Sequence, residues 1–102
     1  MTLYHGTGQE TTSADALYFT AKPDEAKAFA LALDGLGNYN EESWIYMTEI
    51  DTDDVVVEDD FEEFDSMAYR QHLESPIYNP ESGWYIVPNP RLTLVEHFTN
   101  EL

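Results

Sequence analysis

Leu3-Tyr4-His5-Gly6-Thr7, then Leu17-Tyr18-Phe19-Thr20, then Pro23-Asp24-Glu25-Ala26-Lys27-Ala28-Phe29-Ala30 form the stretch that decides how this chain folds. Thr2 to His5 reads as a short strand, Gly6 to Asp15 as a polar loop, and Ala16 to Thr20 as a second strand. Pro23 suits the first position of a helix, and Asp24 and Glu25 fall in its favourable first turn. Ala26, Phe29, Ala30 and Leu33 repeat at helical spacing, and Gly35 and Gly37 end the element.

Downstream, a loop with Asn38 and Asn40 leads into Trp44 to Ile50, where alternation puts Trp44, Tyr46, Thr48 and Ile50 on one face. Asp51 to Asp54 make a turn, and Val55 to Val57 a brief β segment. Asp59 or Asp60 can cap a helix carrying Phe61, Phe64 and Ala68, which stops before Pro76. Two last strands, Trp84 to Val87 and Leu92 to Phe98, are joined by the turn Pro88-Asn89-Pro90. Irregularly interspersed strands and helices predict an α+β fold, in one domain over residues 1–102.

Composition narrows the function. The chain has 102 residues, 21 acids and four bases (Lys22, Lys27, Arg70 and Arg91), for a net charge of −17. Seven tyrosines and five phenylalanines nevertheless supply a core that a disordered acidic tail lacks. Ten of the seventeen residues from Glu49 to Asp65 are acidic, with no base among them. Such a surface repels nucleic acid and anionic membranes and suits a basic protein partner. There is no cysteine, hence no disulfide and no thiolate site. MTLYHGT has neither the basic nor the apolar region of a signal peptide, so the expected location is the cytoplasm.

With its elements in this order, the chain resembles the ADP-ribosyltransferase family over most of its length. The resemblance rests on Leu3-Tyr4-His5-Gly6-Thr7, on Leu17-Tyr18-Phe19-Thr20 with Ala26 to Ala30, on Trp44 to Asp51, and on Tyr85-Ile86-Val87-Pro88-Asn89-Pro90. It implies a compact split β-sheet core with two or three helices, and NAD as substrate. His5 would hydrogen-bond a ribose hydroxyl, Gly6 would let its backbone approach the nicotinamide amide, and Thr7 would support the His5 loop. Tyr18 and Phe29 would sandwich the cationic nicotinamide ring.

The departure is the catalytic acid. The family pattern has a glutamate immediately before the Tyr-Ile-Val strand, where this chain has Trp84. Glu81, in Asn79-Pro80-Glu81-Ser82-Gly83, is the nearest upstream carboxylate and the candidate to stabilise charge developing on the ribose; a solvated turn residue is its other reading. Glu74, beyond Pro76, is a poorer candidate. Only ten residues separate Thr7 from Tyr18, which leaves little room to cradle the adenosine half; with four bases in the chain the pyrophosphate relies on backbone amides, helped by Lys22, so NAD affinity is expected to be weak. Other chemistries fit less well. His5, His72 and His97 show no metal-ligand spacing, Asp51-Thr52-Asp53-Asp54 lacks the glycine and distal glutamate of a calcium loop, and no Gly-x-Ser-x-Gly is present.

Two functions follow. One is an NAD-dependent mono-ADP-ribosyltransferase that modifies a basic, nucleic-acid-binding protein; the resemblance to small phage-borne anti-CRISPR members implies an inhibitor of host defence. The other is a catalytically inert acidic inhibitor, in which the carboxylates of Glu49 to Asp65 mimic DNA phosphates and block the target's nucleic-acid-binding surface.

Overall fold

The computed structural model describes residues 1–11, 16–31, 40–66 and 73–100. In chain order the elements are β1 (Thr2–Thr7), β2 (Ala16–Thr20), α1 (Pro23–Leu31), β3 (Glu42–Glu49), β4 (Val56–Val57), α2 (Phe61–Phe64), β5 (Ile77–Asn79), β6 (Trp84–Pro88) and β7 (Thr93–Thr99). The strands form one mixed seven-stranded sheet in the order β4-β5-β6-β2-β1-β3-β7. All its pairings are antiparallel except β4 with β5. With two α-helices among the described residues this is an α+β architecture. Among the described residues no helix is long and apolar enough to cross a membrane.

Most expected elements are present. β2 has the expected bounds, and Pro23 opens α1. Asp60 caps α2, its carboxylate accepting from the Glu62 and Glu63 amides at 2.9 and 3.3 Å. Asn89 sits at φ 44° in the turn before β7, a left-handed conformation that asparagine tolerates. The expected helical positions Leu33 and Ala68, the terminating Gly35 and Gly37, Asn38, Arg70 and His72 lie outside the described residues. Asp51 to Asp54 form a turn of 3₁₀ helix over Thr52–Asp54, with the Asp51 carboxylate accepting from the Asp53 amide at 2.9 Å. Three features depart from the sequence expectation. α2 ends at Phe64, short of the expected Ala68, because Asp65 leaves helical geometry and closes the turn with its amide on the Phe61 and Glu63 carbonyls. β1 runs through Gly6 and Thr7 instead of ending at His5, because both pair with β3. β5 has no expected counterpart; its three residues gain strand geometry by pairing with β4 and β6.

The sheet is packed on both faces. Trp44, Tyr46 and Thr48 stand opposite Thr7, His5 and Leu3 in register, so they share a face as the alternation predicts. Ser43 and Ile45, on the other face, are also buried because α1 lies across them. Ala26 and Ala30 are the contact residues of α1, fully buried against Ile45. The Ala30 carbonyl accepts from Ser43 Oγ and Asn40 Nδ2, both at 2.9 Å, which ties the helix to the start of β3. On the opposite face Leu3, Phe19 and Val87 form a second cluster, closed by Leu17, Ile50, Tyr85 and Leu92. A third joins Phe64 of α2 to Ile77 and Ile86. β1 and β2 share one register pair, Tyr4 with Thr20, so the sheet opens beyond it.

Candidate active site: an aromatic cavity

Where the sheet opens, a cavity of about 280 Å³ lies between the two helices. His5 and Gly6 come from β1, Tyr18 from β2, Phe29 from α1, Phe61 and Phe64 from α2, and Ser82 and Trp84 from the β5–β6 turn and β6. Five aromatic rings and a histidine therefore surround one small space. The described lining residues include no carboxylate and no lysine or arginine. At the lower end of ligand-pocket sizes, this volume suits a single planar ring rather than a whole dinucleotide.

The rings are held in pairs. Phe29 is 60% exposed, unusual for a phenylalanine on a helix that also packs a core, and it meets Trp84 edge-on at 4.7 Å. Tyr18 meets Phe64 edge-on at 5.9 Å, and Phe61 lies 6.3 Å from Phe64. Tyr18 and Phe29 thus line the same cavity, each backed by a second aromatic that the sequence did not associate with it. The Tyr18 hydroxyl donates to the Asp65 carboxylate.

His5 is fixed by a 2.7 Å hydrogen bond between Nδ1 and the Tyr18 carbonyl. A carbonyl only accepts, so Nδ1 carries the proton and Nε2 is the acceptor of the neutral ring. Burial lowers the imidazole below its usual value of 6.5, outweighing this hydrogen bond, which acts in the opposite direction. Above pH 6.5 the ring is neutral in both folded and unfolded chains; on acidification the unfolded chain takes the proton first, and stability is lost as pH falls through the folded value. Urea unfolding at pH 7.5 and 5.5 should show the stability of the wild type relative to His5→Gln decreasing at the lower pH. The comparison cancels the carboxylates common to both proteins. An unchanged difference would refute the burial account.

The remaining candidate residues have different surroundings. Gly6 lines the cavity, and its lack of a side chain also meets a packing need, since a Cβ there would lie 1.7 Å from the Ala26 carbonyl oxygen. Thr7 is outside the lining; its hydroxyl accepts from the Gln9 amide at 3.2 Å and holds the segment that leaves β1. Glu81 is exposed in the β5–β6 turn, beside the lining residue Ser82 but not itself in the lining. That turn is pinned by buried Asn79, which accepts from the Ser82 amide and donates to the Glu58 carbonyl, both at 2.8 Å. Lys22 borders a second hollow that shares Ser82 with the cavity, and its ammonium lies 3.9 Å from Glu25.

Phe61, Phe64 and Ser82 line the cavity without being expected there from the sequence. Their places in an acid-rich run and a polar turn carry no signal of it. The sequence matches no protein-family model, no curated protein and no solved structure in the three comparisons made.

Proposed function

We propose that this chain is an NAD-dependent mono-ADP-ribosyltransferase acting on a basic, nucleic-acid-binding protein, as an inhibitor of host defence carried by a phage or mobile element. The observation that carries the reading is the convergence of His5, Gly6, Tyr18 and Phe29, from three separate elements, on one ring-sized cavity. The opening between β1 and β2 agrees with a split sheet core. The cationic nicotinamide ring suits the aromatic walls, and its amide or the adjoining ribose finds an acceptor in His5 Nε2. NAD supplies a glycosidic bond whose leaving group is that ring. Glu81, in the turn beside Ser82, is the carboxylate assigned to offset the positive charge developing on the sugar.

The partner reading rests on charge. Among the described residues, the ammonium groups of Lys22, Lys27 and the N-terminus pair with Glu25, Glu96 and Glu49, and His97 Nε2 lies 3.3 Å from Glu42. None of these cations neutralises a carboxylate from Asp51 to Asp65, so the charge of that segment is available to an approaching partner. Exposed Val56, Val57 and Phe61 lie within the same segment, adding apolar contact area.

One observation favours the inert reading: Trp84, at the position of the family glutamate, contributes its ring to the cavity wall against Phe29. A single experiment separates the two. The protein is incubated with labelled NAD and a panel of basic nucleic-acid-binding proteins, beside Glu81→Gln. Transfer is expected with the wild type and should fall about 100-fold in the variant, the scale for losing one group that stabilises transition-state charge. Absence of transfer to any target, together with inhibition that needs no NAD and weakens steeply with salt, would establish the acidic mimic instead.

A further inference from the structure

The cavity walls carry no charge of their own among the described residues, yet one carboxylate is tied to them. Asp65 follows Phe64 directly, its amide donates to the Phe61 carbonyl at 2.9 Å, and its carboxylate accepts from the Tyr18 hydroxyl. Phe61, Phe64 and Tyr18 all line the cavity. The acid is therefore held to two lining residues, to Phe61 through its backbone amide and to Tyr18 through its carboxylate. The Tyr18 contact joins residues 47 apart in sequence, so the folded structure is needed to fix it. Other acids of the segment serve local turns: Asp60 caps α2, Asp51 holds the 3₁₀ turn, and Glu58 accepts from the Asp60 amide at 3.0 Å.

We propose that Asp65 is the counter-charge of the aromatic cavity, so that the site selects a cationic planar ring over the neutral ring of the same shape. The inference rests on the cavity being a ring-binding site, but assigns to Asp65 a role that neither His5 nor Glu81 supplies. Aromatic faces attract a cation through their quadrupole, and a carboxylate bonded to a lining side chain adds a Coulomb attraction. Because Asp65 is exposed, solvent screens it, and the added preference is a factor of a few rather than of hundreds. For an NAD-consuming site the consequence is discrimination: the cationic ring of the substrate is held, and the neutral ring left after cleavage is released.

The probes are 1-methylnicotinamide, a cation, and nicotinamide, its neutral counterpart, each titrated into the protein while the Trp84 indole N–H resonance is followed by NMR. The wild type should prefer the cation about tenfold, falling to about threefold in Asp65→Asn, where the aromatic contribution alone remains. Tyr18→Phe, which keeps the ring but releases the acid, should fall between them. Asp53→Asn removes the same charge from the 3₁₀ turn and should leave the preference at the wild-type value. Equal binding of the two probes by the wild type, or an undiminished preference in Asp65→Asn, overturns the role of Asp65 while leaving the ring site standing. Equal losses in Asp65→Asn and Asp53→Asn assign the effect to net charge and overturn it likewise. Failure of both probes to bind removes the ring site itself, and this inference with it.

Discussion

Gly6→Ala is expected to destabilise the protein by about 3 kcal/mol, at the upper end of the range for overpacking. The added methyl would lie 1.7 Å from the Ala26 carbonyl oxygen, 2.7 Å from the carbonyl carbon and 3.0 Å from the Ala30 amide nitrogen. These are backbone atoms of a helix, so no rotamer change relieves the clash, and α1 must move off β1. That movement would uncover Ala26, Ala30 and Ile45 together, and would carry Phe29 away from Trp84. In urea unfolding the midpoint should fall by roughly 2 M, with ring binding lost in the protein that remains folded. Gly83→Ala is the informative contrast. Gly83 has φ +76° with open space around it, so its cost is the backbone strain alone, about 1 kcal/mol. Equal costs at the two positions would show that the close approach of helix and strand is not what Gly6 provides.

Phe64→Ala should cost about 3–4 kcal/mol, the usual scale for truncating a fully buried phenylalanine. Phe64 is 1% exposed and packs with Ile77 and Ile86, and it is the buried residue of a four-residue helix. A helix of one turn does not hold itself together in water, so its position depends on this anchor. Removing the ring releases Phe61 and Asp65 with it, and the cavity loses one wall. Phe61→Ala, at a residue 44% exposed, should by comparison cost under about 1 kcal/mol while still weakening ring binding. Urea unfolding and the indole titration, run on both variants, distinguish anchor from wall. A small stability loss in Phe64→Ala would mean that α2 is held by its polar contacts, the Asp60 cap and the Tyr18–Asp65 bond, instead of by this ring.

The candidate site was legible in its first half. His5, Gly6, Tyr18 and Phe29 are recognisable because they fall at fixed places around a strand, a turn and a helix, and the fold brings all four to one cavity. The second half was not legible, for physical reasons. Phe61 and Phe64 read as an ordinary helix face, and only the docking of α2 beside β2 turns them into cavity walls. Distance along the chain from Trp84 points to Glu81, whereas proximity to the rings depends on the turn pinned by Asn79, which gives the lining Ser82. β5 escaped notice because Ile77-Tyr78-Asn79 between two prolines has too few residues for a periodic signal, and becomes a strand through its two neighbours.

By itself the sequence determined the local features. These are the bounds of β2, the start of α1 at Pro23, the Asp60 cap, the shared face of Trp44, Tyr46 and Thr48, and the concentration of negative charge in one segment. Each depends on spacings of a few residues, which the chain carries whether folded or not. The tertiary structure decided which strands neighbour one another, why Gly6 must be glycine, and that Asp65 belongs with Tyr18. Those depend on contacts between residues far apart in sequence, which exist only once helix, sheet and the acidic segment have packed together.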